Sequence, residues 1–267
     1  MKKLLLLLFL FSSFEYLNAE NGYDLWLRYK TIDNKQLLHL YRQQITGLTI
    51  HGSSPTITAA KEELSLGLQG LLQIKIPFTS GTHQKGTVLA GTPSSSPSIR
   101  QLGLTSYLRQ TGSEGFVIMT KKINGNNCIV ITANTDTGIL YGVFHFLRLL
   151  QTHQPAYPLN IISFPRLKSR LLNHWDNLNR TVERGYAGFS IWNWHTLPGY
   201  IDKRYIDYAR ANASVGINGT VLTNVNANAT ILTEPYLQKV KALAEVFRPY
   251  GIKVYLTARF SAPIELG

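Results

Sequence analysis

Chemistry is densest where His174, Trp175, Asp176 and Asn177 stand in a row. An indole flanked by a carboxylate and an amide suits a sugar, whose ring stacks one apolar face on the aromatic while its hydroxyls bond the polar groups. The same row also reads as a packed aromatic beside a turn cap, and spacing alone leaves both open. Asn224, Val225, Asn226, Ala227 and Asn228 form a second cluster, and Arg259 with Ser261 a third. Asparagine tolerates left-handed backbone, so turn formation competes with binding there, more heavily at Asn228 than at Asn224 or Asn226.

Glycoside hydrolysis needs two carboxyl groups on either side of one bond. The second half of the chain offers Asp176, Glu183, Glu234 and Glu265, and none makes a persuasive pair. Glu183 beside Arg184 reads as an ion pair or loop clamp. Glu234 reads as a first-turn carboxylate that complements a helix dipole, and Glu265 is nearly terminal. There is no Walker loop, dinucleotide fingerprint, HExxH pair or serine nucleophile elbow, so neither metal nor cofactor is expected. Cys128 is the only cysteine, which excludes an intramolecular disulfide or a thiolate cluster. Sequons at Asn179, Asn212, Asn218 and Asn228 read as chance occurrences.

The elements that must hold these groups follow from apolar spacing. Residues 35–44 and 59–71 have helical periodicity, residues 72–76 alternate like a strand, residues 87–90 form a short strand, and residues 91–98 form a Ser/Pro-rich loop. Residues 115–121 and 127–132 alternate on either side of Asn124, Gly125 and Asn126, a hairpin signal. Thr135, Asp136 and Thr137 offer caps for a helix bearing Leu140, Tyr141, Phe144, Leu147 and Leu150. Prolines at 155, 158 and 165 mark a seam, after which strand and helix alternate. The later strands are 170–174, 219–224 and 252–257; the helices are 202–215 and 234–250, the latter facing inward with Leu237, Val240, Leu243, Ala244 and Phe247. Such alternation predicts parallel β/α units.

Residues 1–19 pair Lys2 and Lys3 with an apolar run from Leu4 to Phe11 and close on Leu17, Asn18 and Ala19, the pattern of a secretory signal peptide. Eight apolar residues reach only ~12 Å as a helix, against a bilayer core of ~30 Å, so no stable membrane insertion is expected. Export without disulfides suits a bacterial periplasm or exterior. The formal net charge of +12 favours acidic partners in general. The basic residues are scattered, the densest groups being Lys121 with Lys122 and Arg166, Lys168 and Arg170, and no nucleic-acid partner is expected.

Several stretches resemble the α-glucuronidases of glycoside hydrolase family 67: GYDLWLRY at 22–29, NHWDNL at 173–178 with ERGYAG at 183–188, residues 208–219, FRPYG at 247–251 and PIELG at 263–267. The resemblance implies an α+β N-terminal domain at residues 20–160, a sheet with covering helices. The first β/α units of an incomplete (β/α)8 TIM barrel follow at 161–267, truncated within the catalytic barrel. It also implies inverting hydrolysis of the α-1,2 bond that joins glucuronic acid, or its 4-O-methyl ether, to xylooligosaccharides derived from glucuronoxylan. No metal or cofactor takes part, and the full-length protein is implied to be a homodimer. The family's catalytic carboxylates and the basic groups that grip the uronate are implied to lie beyond Gly267. Carried onto this chain, Trp175 stacks on the uronic acid and Val225 lines the pocket near its O4 methyl group, with Asp176, Asn224 and Asn226 as neighbouring polar lining.

Two other readings stay open at this level. A non-catalytic carbohydrate-binding module would use Trp175, Trp192 and Trp194 as its platform. TGILYG at 137–142 also resembles the domain that precedes the barrel in β-hexosaminidases, which would make the chain part of a hexosaminidase-like glycosidase.

Overall fold

Side-chain caps set four of the helix starts in the first half of the chain, at Asn34, Ser54, Ser96 and Thr135. The computed structural model describes residues 20–79 and 84–267; the expected signal peptide at 1–19 lies outside them. Asn34 accepts from the Leu37 N–H and starts α1 (Lys35–Gln44), which leads into β1 (Gly47–Ile50). Ser54 accepts from the Ile57 N–H and Pro55 occupies the first turn of α2 (Pro55–Leu72). Helical spacing of Leu64, Leu68, Leu71 and Leu72 carries this helix to its left-handed cap at Gln73, so the strand expected over residues 72–76 does not form. The alternation there arises because Leu72, at the helix end, and Ile76, in the following loop, are both buried.

Next come β2 (Thr87–Gly91), α3 (Pro97–Gln101) and α4 (Thr105–Thr111). The loop expected over 91–98 is therefore shorter, because Ser96 accepts from the Ile99 N–H and Pro97 opens a helical turn. β3 (Phe116–Ile123) and β4 (Asn126–Ala133) form the predicted hairpin, turned by Asn124 at φ 50° and Gly125 at φ 81°. Thr135 caps α5 (Asp136–Gln151) at the Gly138 N–H, and β5 (Asn160–Ser163) closes the unit. The sheet order is β1-β2-β4-β3-β5, with β1, β2 and β4 parallel and β3 antiparallel to both of its neighbours. Leu64, Leu68, Ile139, Val143 and Leu147 form the core between the sheet and helices α2 and α5. A second cluster, with Ile99, Leu104, Leu108, Val117 and Val130, holds α3 and α4 to the other face.

The second unit contains β6 (Leu171–Asn173), α6 (Lys203–Ser214), β7 (Gly219–Val221), α7 (Glu234–Phe247), β8 (Lys253–Tyr255) and α8 (Ala262–Leu266). All three strands are parallel, in the order β6-β7-β8, as the β/α alternation predicts. Trp192, Trp194, Tyr205, Leu222, Leu243 and Phe247 form its core. The outer strands are more exposed than expected: β6 is exposed throughout, and in β8 only Val254 is partly covered. Leu237 likewise faces out, because α7 buries Leu243 and Phe247 near its C-terminal end and leaves its first turns at the surface.

Polar contacts join the two units. Arg210 on α6 reaches Glu63 on α2, Arg170 pairs with Glu114 at 2.6 Å, and the Trp26 indole N–H donates to Ser214 Oγ at 2.7 Å. No helix among the described residues is long and apolar enough to cross a membrane.

Candidate functional site at the strand ends

β6 and β7 run side by side, and the chain keeps their pairing going beyond the strands proper. His174 N–H donates to Val221 O at 3.0 Å, and Asn224 N–H donates to Asp176 O at 2.9 Å. This places the clusters around Trp175 and Asn224 next to each other at the C-terminal end of the sheet, where parallel β/α folds bind their ligands.

Beneath the surface is a buried polar chain. Asp176 is 3% exposed and its carboxylate accepts from the Ser190 hydroxyl, whose oxygen accepts from the Trp192 backbone N–H at 3.0 Å. His174 Nδ1 lies 3.7 Å from Asp176, and its Nε2 lies 2.7 Å from the Tyr208 hydroxyl, which in turn is 3.0 Å from Thr220 Oγ1. The imidazole packs edge-on against Trp192, with ring centroids 5.3 Å apart. Burial pushes the Tyr208 phenol up to about 12, and the nearby Asp176 charge adds to the rise. These side chains satisfy one another and hold the ends of β6 and β7 in register.

Trp175 stands above this layer, 47% exposed, and Val225 is 46% exposed at the neighbouring strand end with Asn226 also facing out. Of the five residues expected at the site, these three present surface. Asp176 and Asn224 do not: both are buried, so their expected place as open polar lining is corrected to support from below. Asn224 Oδ1 accepts from the Asn226 N–H at 2.9 Å and its amide points to Glu183 Oε2 at 3.5 Å. Turn chemistry therefore holds Asn224 as well as Asn228, which accepts from the Thr230 N–H.

Glu183 belongs to this cluster although residue spacing did not place it there. It sits at φ 55°, its N–H donates to Trp175 O at 2.8 Å, and Asn177 Nδ2 donates to its carbonyl at 2.6 Å. It is the loop clamp that the sequence suggested, with Arg184 3.7 Å away. The contact of its carboxylate with Asn224 could not be read from spacing, because it joins residues on two different strand ends. The loop it closes pairs Asp176 with Val182 and Thr181 with Phe189, and leaves Tyr186 and Phe189 largely exposed.

Trp192 and Trp194 are fully buried, so the three-tryptophan platform of a binding module is reduced to Trp175. At the third strand end Arg259 and Ser261 both bond Glu265, whose carboxyl the Arg259 hydrogen bond holds below the usual range. Among the described residues no group of three or more His, Cys, Asp and Glu is placed to hold a metal ion.

Residues 25–146 match the family description "Glycosyl hydrolase family 67 N-terminus", and residues 149–267 match "Glycosyl hydrolase family 67 middle domain". The chain is 34% identical to "Probable alpha-glucuronidase A" of Aspergillus terreus, covering 93% of this chain and 29% of that protein. It is 32% identical to "Alpha-glucuronidase" of Hypocrea jecorina, covering 98% of this chain and 32% of the relative. The chain thus spans about a third or less of the length of these relatives. Among solved structures, a family GH115 4-O-methyl-α-glucuronidase with specificity for decorated arabinogalactans is similar in fold, with a TM-score of 0.53 and 16% identity over 78% of this chain and 28% of that one.

Proposed function

Because the chain belongs to glycosyl hydrolase family 67, we propose that it is the N-terminal part of an α-glucuronidase acting on oligosaccharides from glucuronoxylan. In this reading the three parallel β/α units open a (β/α)8 barrel whose later strands cover the exposed edges of β6 and β8. The preceding α+β domain runs from residue 20 through β5, three residues past the boundary expected at 160, and residues 1–19 direct export.

The observation that carries the proposal is Trp175, half-exposed at the C-terminal strand ends on a base of buried, mutually bonded polar side chains. A rigid indole there stacks on the uronic acid ring, and Val225 faces the region of the 4-O-methyl group. Asp176, Asn224 and Glu183 fix the loops that present them. The reaction is hydrolysis of the α-1,2 linkage to xylose with inversion: a carboxylic acid protonates the leaving oxygen while a carboxylate activates water on the opposite face. Those two groups come from the part of the protein outside these 267 residues.

The test is release of glucuronic acid from aldouronic acids by the product of the complete reading frame, run beside the 267-residue chain. Release by the complete protein alone supports the proposal, and release by the short chain overturns the placement of the acid and base. Absence of release from both, with the substrate still bound, favours a binding module centred on Trp175.

A further inference from the structure

A cavity of about 910 Å³ opens in the first unit, between α2 and the C-terminal end of β1. Residues 77–79 form its outer wall by running beside β1: Leu48 N–H donates to Pro77 O at 2.9 Å, and Thr79 N–H donates to Leu48 O at 2.7 Å. This backbone pairing, rather than burial, fixes Phe78, which lines the cavity and stays 51% exposed. Leu66 faces the same space and is 55% exposed.

Ile50 adds to the apolar part, and the rest of the described lining is polar. Lys61 and Glu62 bring one charge of each sign, and Gln69, Ser65 and Thr79 bring neutral hydrogen-bonding groups. His51 lines the cavity too. An aromatic face beside amide and hydroxyl groups, with one charge of each sign among the described lining residues, suits a neutral sugar better than a uronate, a phosphate or a metal ion. The volume falls within the ~300–1,000 Å³ of small-molecule sites, room for a short oligosaccharide.

We propose that this cavity binds a neutral oligosaccharide, separately from the Trp175 site. Its use, holding the xylose backbone of the oligosaccharide whose uronic acid is removed at the other site, rests on the function proposed above; the binding itself does not.

The experiment is isothermal titration of the 267-residue chain with xylohexaose and, in parallel, cellohexaose, using wild type, Phe78→Ala, Gln69→Ala and Trp175→Ala. Phe78 and Gln69 are exposed, so both variants are expected to keep the wild-type circular dichroism, and Gln69→Ala decides the matter if Phe78→Ala does not. Binding of either neutral oligomer that weakens roughly two- to tenfold in the cavity variants and is unchanged in Trp175→Ala supports the site. Binding lost only in Trp175→Ala, or no binding of either oligomer, overturns it. So does a change of oligomeric state in Phe78→Ala, which would make the cavity wall a protein interface. Cavity binding without glucuronic acid release by the complete protein leaves the site standing and removes only its proposed use.

Discussion

The Arg210 guanidinium grips the Glu63 carboxylate with two hydrogen bonds, Nε to Oε2 at 2.6 Å and Nη2 to Oε1 at 2.8 Å, across 147 positions of sequence. Glu63 is 4% exposed, Tyr29 donates its hydroxyl to the same carboxylate, and the guanidinium lies 5.7 Å from the Tyr29 ring centre. Burial and the Glu63 charge push the Tyr29 phenol far up, so it remains a donor. This cluster fastens α6, beside the candidate site, to α2 of the first unit.

Removing Arg210 leaves the Glu63 charge buried with the Tyr29 hydroxyl but without its countercharge. Arg210→Ala is therefore expected to cost about 3–5 kcal/mol, and Arg210→Lys, which keeps the charge and loses the paired geometry, to cost less. Urea denaturation of the two variants measures this. A loss below about 1 kcal/mol for Arg210→Ala would put the pair in the class of exposed salt bridges.

Gly67 lies where α2 packs against Leu147 of α5. A Cβ placed there would lie 2.6 Å from both Leu147 methyl carbons, and Leu147 is fully buried. Gly67→Ala gains about 1 kcal/mol of helix propensity and incurs roughly 1–3 kcal/mol of overpacking. The expected outcome is a lower melting temperature, measured by calorimetry; a higher one would show that the helices separate easily.

Stability should fall at alkaline pH. Burial and the Asp176 charge raise the Tyr208 phenol to about 12, and burial foremost lifts Tyr141 and Tyr250 to about 12 as well. Unfolded tyrosine loses its proton near 10. Below pH 10 both states hold the proton and the contribution is complete. From pH 10 to 12 the unfolded state binds fewer protons, so stability declines as pH rises. Tyr208→Phe should make that decline shallower when urea unfolding is compared at pH 9, 10 and 11, and an unchanged slope would exclude Tyr208 as a contributor.

Local signals explain which parts of this fold were legible in the sequence. Asn124 with Gly125 fixed the hairpin, Thr135 marked the start of α5, and the 3–4 spacing of apolar residues gave α1, α2 and α6. The two residues at a helix end and in a loop, Leu72 and Ile76, imitated a strand because both needed burial. At the site, proximity in sequence brought out Trp175 and Asp176 together, but the backbone turns one outward and the other inward. Alternation along an extended segment does this automatically. Contacts such as Glu183 with Asn224, between two strand ends, or His174 with Tyr208, between a strand end and the helix that follows it, leave no periodic trace.

Trp175 and Trp192 are 17 positions apart and should respond in opposite ways to the same change. Trp175 is 47% exposed and its indole is not part of the buried core. Trp175→Ala should therefore shift stability by no more than about 0.5 kcal/mol. Trp192 is fully buried against His174, Tyr205, Tyr208 and Phe247. Its truncation should cost about 3–5 kcal/mol through lost packing and the cavity left behind. Binding separates them further: glucuronic acid quenching of tryptophan fluorescence should disappear in Trp175→Ala while urea unfolding stays at the wild-type midpoint. A Trp175→Ala variant that unfolds early would make this residue structural, and one that keeps full quenching would move the sugar platform away from the β6 strand end.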